Sequence, residues 1–349
     1  MDKRRGKIRI ISVFFALLAV SIFTKVVISL VKCKDPSISG KQIIVDEGKN
    51  KFEEFSYKTN DIEGRAITLF AQKASEEKKG EYKFDNIKST FTLSNGESGT
   101  IIANKIFAVH NDKTICEFDG DVYLSTSAGL RAKTQKSLID FNAKTAQGNK
   151  RIDISKENTK ISADEYNFDL DKNIATLSKN VIGSTGYTNN IKKRLSAQTA
   201  TVAFDKEYPD SIKAMQLKGK PFLATDDYTL SCDEIISYDN DSISAKSGTI
   251  LIYKNDNDSV RVKSQHMLAK LKNSKIESVD ASGCLVITAK NATIKADRGV
   301  LSGGKIRVSG NVMITNEYGD IFGDIADFDL KTRKILLRNS SGILNDGRA

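Results

Sequence analysis

Tryptophan is absent from this chain, and proline is scarce, with 3 in 349 residues. Few ladder donors are therefore lost to proline, and Ile, Val, Thr, Tyr and Phe are plentiful, as pleated surfaces favour. There are only two histidines, His110 and His266, and four cysteines, Cys33, Cys116, Cys232 and Cys284, none in a CxxC spacing. That argues against a structural zinc site and predicts no metal centre. Cys116, Cys232 and Cys284 read as small strand residues rather than reactive thiols, with one disulfide still open if the chain faces an oxidising compartment.

The catalytic signatures are missing as well. The sequence has no Gly-x-Ser-x-Gly elbow, His-Glu-x-x-His pair, Gly-x-Gly-x-x-Gly fingerprint or Gly-x-x-x-x-Gly-Lys-Ser/Thr loop. The carboxylate pairs Asp119/Asp121, Asp226/Asp227 and Asp324/Asp327 sit at repeat edges and read as solvated turn residues. We expect no enzyme activity and no cofactor. The net charge of +10 is mostly local: residues 1–34 hold 8 of the 54 basic and 1 of the 44 acidic residues. The remainder has 46 basic against 43 acidic residues, a balance of +3 that does not support a phosphate-binding stripe or a nucleic-acid partner.

Residues 10–31 (IISVFFALLAVSIFTKVVISLV) are nearly all apolar. As a helix they extend about 33 Å at ~1.5 Å per residue, enough for a bilayer core of ~30 Å. Lys25 lies toward one end, where its stem can snorkel. Lys3, Arg4, Arg5, Lys7 and Arg9 precede the run, which predicts a cytoplasmic tail over residues 1–9 and export of everything after the span. A cleaved signal peptide would have a shorter apolar core and a small-residue cleavage site. Residues 32–50, with Pro36, Gly40 and Gly48, read as a tether.

Two elements alternate through the rest. The first opens on a small residue, has apolar residues three and five positions later, and often closes on Asp: ADEYNFD from Ala163, AQTATVAFD from Ala197 and GDIADFD from Gly323. Looser copies begin near Ala103, Ala132, Cys232 and Ala289, with starts roughly 29 to 35 residues apart except for one interval of 57, the mark of a repeat architecture. The second is a turn Gly or Asn before an apolar run: GDVYL from Gly120, GTILI from Gly248, GCLVI from Gly283 and GNVMI from Gly310, with degenerate copies at Asn180 and at Gly219, where Pro221 suggests an edge or bulge. Period-two alternation makes the runs half-buried strands, and Asn95-Gly96, Asp119-Gly120, Gly303-Gly304 and Asn345 to Gly347 read as turn signals. One repeat is about two strands, and stacked repeats give a long antiparallel array. The run KASEEKK from Lys73 reads as a solvated turn or short helix, and Lys263 to Leu271 as a strand although it would tolerate a helix.

What remains is an apolar face. It comprises Val122 and Leu124; Tyr166 and Phe168; Val202 and Phe204; Ile235, Ile250, Ile252 and Ile287; and Val312, Ile314 and Phe328. The face could be an ordinary sandwich core or the lining of an open groove.

The alternating Gly-Asn-Val and Ala-Asp…Phe-Asp elements resemble the OstA-like domain of lipopolysaccharide transport proteins. The fit is best over Ser309 to Thr315 followed by Asp320 to Asp329. Residues 1–187 look like LptC, with 51–187 as its β-jellyroll, and residues 193–345 look like an LptA module. The resemblance implies an all-β protein of two antiparallel jellyrolls (β-tacos) behind a single transmembrane helix, held in the inner membrane with its domains in the periplasm. It further implies that the apolar face binds the acyl chains of lipopolysaccharide. The partners implied are inner-membrane ABC transporter permeases and an outer-membrane translocon or further LptA-like protein. The competing readings are a structural or adhesive β-solenoid, such as a parallel β-helix, and a polysaccharide-processing enzyme on a β scaffold.

Overall fold

A computed structural model describes residues 34–344 except 45–49, 61–65, 79–80, 93–97, 111–113, 128, 141–142, 144, 157, 170–171, 173, 188–189, 205–211, 226–227, 239–241, 256–257, 273–274 and 330–334. The expected span at 10–31 lies outside them. Among the described residues, no helix is long and apolar enough to cross a membrane.

The chain divides into two compact units, one of Ser12–Thr185 with Thr201–Ile212, the other of Gly186–Ala200 with Lys213–Ala349. The N-terminal unit opens with β1 (Lys34–Ile44), β2 (Asn50–Asn60), β3 (Ala66–Lys78), β4 (Glu81–Thr92), β5 (Ser98–His110), β6 (Thr114–Thr126) and β7 (Leu130–Asp140). It continues with β8 (Thr145–Gly148), β9 (Ile152–Lys156), β10 (Thr159–Ala163), β11 (Glu165–Asp169) and β12 (Ile174–Tyr187). After β13 (Asn190–Phe204) come β14 (Ile212–Lys218), β15 (Phe222–Ala224), β16 (Tyr228–Ser231), β17 (Glu234–Tyr238), β18 (Ser242–Asn255) and β19 (Asp258–Lys272). The C-terminal unit ends with β20 (Lys275–Ala289), β21 (Ala292–Ser302), β22 (Lys305–Asn316), β23 (Gly319–Asp329), β24 (Ile335–Arg338) and β25 (Ser341–Leu344).

The described ladders are antiparallel, and within each unit successive long strands pair as meanders. That pattern removes the parallel β-helix, whose coils stack in parallel. Part of the stretch read as a tether is β1, paired to β2 from Lys34↔Asn60 to Ile44↔Asn50. The KASEEKK run, read as a turn or short helix, is the end of β3, paired Lys73↔Asp85 and Ser75↔Lys83. Its charges hid the inward positions, Ala71 and Ala74, which are three apart because the inward parity changes between them. Lys263 to Leu271 lies within strand β19.

The repeat owes its odd spacing to a corner. At each small-residue start the strand bends, and the following polar residue faces a two-residue bulge in the next strand. Thus Lys295↔Met313 and Arg298↔Ser309 bracket Ala296-Asp297 against a β22 segment that is one residue longer. The bulge residues adopt left-handed conformations: φ is 78° at Gly310 and 49° at Asn311, 60° at Lys179 and 52° at Asn180, 77° at Gly283 and 51° at Cys284. Only Gly takes such values without steric cost, and Asn tolerates them best among the rest. Two-against-one pairing of this kind bends a strand sharply. Burial is therefore at +0, +3 and +5, because the inward parity flips at the corner: Ala163, Tyr166 and Phe168; Ala197, Ala200 and Val202; Cys232, Ile235 and Ser237.

Two positions correct the sequence reading. The copy placed near Ala132 turns at Thr134, and the copy near Ala289 turns at Ala296, since Thr134 and Ala296 are the buried residues ahead of the parity change. Asp119-Gly120 is such a bulge inside β6 rather than a turn between strands, with φ 72° at Gly120 and 43° at Asp121. Gly303-Gly304 does form a two-residue hairpin, closing Ser302↔Lys305 with φ of 58° and 76°, the left-handed pair that matches strand twist. Pro221 follows the Gly219-Lys220 bulge between β14 and β15, where no ladder donor is needed.

Each long strand thus has two arms. The first arm includes residues 98–103 of β5, 122–126 of β6 and 285–289 of β20; the second includes residues 105–110, 114–119 and 275–282 of the same strands. Apolar side chains from both arms point into the space between them.

Candidate functional site: an apolar cavity between the arms

In the C-terminal unit the two arms leave a cavity of about 260 Å³. Leu251, Val262, Leu285 and Ile287 line it from the first arm, and Val279, Ala281, Leu301 and Ile306 from the second. The register explains why they converge. Leu251↔Val262 and Val262↔Ile287 form one cross-strand row, while Val279↔Leu301 and Leu301↔Ile306 form the facing one. The arms meet at Gly299, which pairs with Ala281: a Cβ there would sit 2.5 Å from Leu285 Cδ2. The missing side chain lets Leu285 seat against the backbone of the opposite arm. An adjoining recess lined by Tyr228, Leu230, Ile243 and Met267 shares Leu251 and Ile276 with the cavity. The apolar lining therefore reaches from β16 to β22. Tyr253 and Glu277 add polar atoms to the cavity lining.

The N-terminal unit is filled at the corresponding place. Val122, Leu124, Ala132 and Ile152 face Tyr166 around a recess of only about 10 Å³. Tyr166 and Phe168 stack with ring centroids 5.2 Å apart, and both are buried. The Tyr166 hydroxyl donates to the Lys136 carbonyl at 3.1 Å, and burial pushes its pKa up to about 12. Its ring packs against Gly148, where a Cβ would be 2.3 Å from Cε1.

Of the expected face, only Ile287 lines the larger cavity, while Val122, Leu124 and Tyr166 line the small recess. Phe168, Val202, Ile235, Val312 and Ile314 are buried in the packed cores of their units. Phe328 is half-buried, on the same parity as buried Ala326. The side chain of Phe204 lies outside the described residues. Ile250 and Ile252 are half-exposed, because Leu251 takes the inward position. The segment Ile250-Leu251-Ile252 is apolar on both parities, so alternation could not choose; the Ser247-Gly248 bulge, opposite Gln265, sets the register. Sequence reasoning missed Leu251, Val262, Val279, Leu285, Leu301 and Ile306, whose signal was the parity rule counted from each corner.

Chemistry is sparse. Among the described residues no cluster of His, Cys, Asp and Glu could hold a metal ion. Cys116, Cys232 and Cys284 are free thiols, and burial pushes Cys116 up to about 12 and Cys232 up to about 11. The cavity lining offers mainly apolar contact.

Among curated proteins none matches the sequence. Among solved structures the chain is similar to the crystal structure of LptH, the LptA homologous periplasmic component of the conserved lipopolysaccharide transport device from Pseudomonas aeruginosa. That likeness has 8% identity, covers 44% of this chain and 94% of the other, and has a TM-score of 0.24, too loose a superposition to argue from. Residues 17–187 match the family model described as lipopolysaccharide-assembly, LptC-related.

Proposed function

We propose that this chain is an inner-membrane-anchored periplasmic protein that carries lipopolysaccharide acyl chains between its β-arms, as part of a bridge toward the outer membrane. The observation that carries the reading is the apolar cavity bounded by Leu251, Val262, Ile287, Val279 and Leu301. Each methylene kept out of water is worth about 0.8 kcal/mol, so a multi-acyl lipid needs a covered path rather than a free passage. The family match of residues 17–187 supports the pathway, and the apolar run at 10–31 with its basic flank supports the anchor.

In this reading residues 51–187 are an LptC-like jellyroll and residues 193–345 an LptA-like OstA jellyroll, fused in one chain. Fusion raises the effective concentration of one module near the next. Exposed strand edges that would otherwise be a liability prolong the groove by strand addition. The partners are the ABC transporter permeases of the same pathway, whose partner ATPase supplies the energy, and an outer-membrane translocon or a further LptA-like protein. The chain itself acts as a carrier, not an enzyme.

A photo-crosslinking amino acid at Ile287 or Leu301 should capture lipopolysaccharide in cells, and the same residue at outward-facing Thr288 or Arg307 should not. Equal capture at both pairs, or none at Ile287 and Leu301, would reject the groove.

A further inference from the structure

The two arms of the N-terminal unit differ on their outer faces. On the second arm cations meet acids in register: Lys73↔Asp85, Asp85↔Lys105, Lys105↔Asp119 and Asp119↔Lys136 form one cross-strand row. Ion pairs reinforce that face, with Lys83 on Asp85 at 3.6 Å and Lys136 on Glu117 at 2.6 Å.

The first arm has little of that compensation: Lys133 meets Asp121 at 3.6 Å and lies 4.8 Å from the centre of the Tyr123 ring. One row runs Phe70↔Lys88↔Ile102↔Tyr123↔Lys133↔Asp153↔Ser162↔Ile182. Phe70, Ile102, Tyr123 and Ile182 are 46%, 47%, 42% and 52% exposed, so the row is a band of large apolar side chains in water. The neighbouring row places Arg131 between Ser125 and Ser155, and Lys160 between Ser155 and Ser184, with no carboxylate opposite either. The one acid in these two rows, Asp153, accepts from Arg151 at 3.1 Å. A recess of about 520 Å³ opens here, among Tyr123, Arg131, Lys133, Lys160 and Ile182. Across eight strands the band is about 34 Å wide at ~4.8 Å per strand.

We infer that this face rests on the surface of an anionic phospholipid bilayer, with Phe70, Ile102, Tyr123 and Ile182 at the headgroup boundary and Arg131, Lys133 and Lys160 on lipid phosphates. Apolar side chains mixed with cations, two of which (Arg131 and Lys160) face only serines across the ladder, are the composition of an interfacial surface, and Tyr suits that depth. The position in the chain favours a membrane over an acidic protein. The apolar run ends at residue 31 and β1 begins at Lys34, so the unit starts within about 10 Å of the run at ~3.4 Å per residue. The inference rests on the anchored reading above. Lying flat would fix the unit's tilt at the bilayer and hold its groove at a constant height.

The test uses the full chain reconstituted in phosphatidylcholine vesicles with a minority of phosphatidylglycerol and a doxyl-labelled lipid. A fluorescent amino acid is placed at Ser184 on the first arm or at Lys105 on the second. We expect quenching at Ser184 and not at Lys105, weaker in high salt and in pure phosphatidylcholine. R131E/K160E, two exposed substitutions whose melting is checked, should lower the quenched fraction by about half or more. Equal quenching at both positions, or none at Ser184 in chains that float with the vesicles, overturns the inference. So does an in-cell photo-crosslink from Ile182 to a protein without quenching by lipid. Chains that do not float at all overturn the anchor and this inference together, while capture of lipopolysaccharide at Ile287 still reports separately on the groove.

Discussion

The Asn311 amide donates to the Asp297 carboxylate at 2.9 Å across the corner of β21 and β22. Asn180 with Asp164 at 2.6 Å and Asn339 with Asp324 at 2.8 Å repeat the contact. At Gln72 the side-chain Oε1 accepts from the Asn86 amide at 2.6 Å. The two sequence elements, small-residue-Asp and Gly-Asn, are therefore the two halves of one hydrogen-bonded bend. The Asp or Gln sits outside the corner, and the left-handed Asn reaches it because its φ turns the side chain toward the preceding strand.

Gly310 should tolerate no side chain. A Cβ would lie 2.4 Å from Asp297 Oδ2, at a φ of 78°. Gly310→Ala should cost about 1–3 kcal/mol from left-handed strain and crowding. Asn311→Gly should cost less than Asn311→Ala, because glycine keeps the backbone conformation free of strain. Urea midpoints of the three variants check the order, and an Asn311→Ala no worse than Asn311→Gly would contradict it.

Phe168 is core rather than cavity wall. It is 1% exposed and stacked on Tyr166. Phe168→Ala should lower stability by about 3–5 kcal/mol, as for other large aromatic deletions. Gly148→Ala should also destabilise, by about 1–3 kcal/mol, because the Tyr166 ring has to move. Chemical denaturation measures both.

Leu301 separates binding from folding. It lines the cavity yet is half-exposed. Leu301→Asp puts a carboxylate beside the lipid path, and desolvating that charge opposes acyl binding. Lipopolysaccharide capture from Ile287 should fall about tenfold, a change of about 1.4 kcal/mol, while the melting temperature stays close to the parent's. Undiminished capture would place the lipid elsewhere.

The thiols should order by exposure. Cys284 is exposed at its corner, whereas Cys116 and Cys232 are held protonated by burial, near 12 and 11. At pH 8 a disulfide reagent should modify Cys284 first and reach Cys116 and Cys232 only on unfolding. A raised thiol value favours the folded state at pH below the ordinary 9.0, and that contribution is lost as pH rises toward about 12. Alkaline unfolding should therefore begin above pH 9, and Cys116→Ala should flatten it. Unchanged alkaline sensitivity would assign it to other groups.

Some of the fold was legible in particular residues. Ala163, Tyr166 and Phe168 showed a spacing of three then two, and that offset is the parity change at a bend. Gly120, Gly283 and Gly310 marked positions that need left-handed backbone, although their place inside strands rather than between them was not readable. Ile250 and Ile252 failed because Leu251 between them is equally apolar, so alternation carried no information there. Ala132 and Ala289 were near-misses, since a small residue is common in strands and only the pairing shows which one turns.

The sequence by itself determined that the chain folds into paired strands, because alternation, turn chemistry and scarce proline act within a few residues of one another. It also set the corner period, since each bend needs a small residue, a polar partner and a left-handed pair. Only the tertiary structure decided what the arms enclose. Whether Leu285 meets a glycine at position 299 and leaves a cavity, or Tyr166 and Phe168 fill the space, depends on side chains brought together from different strands. Volume between two layers is a property of their meeting, and no single strand encodes it.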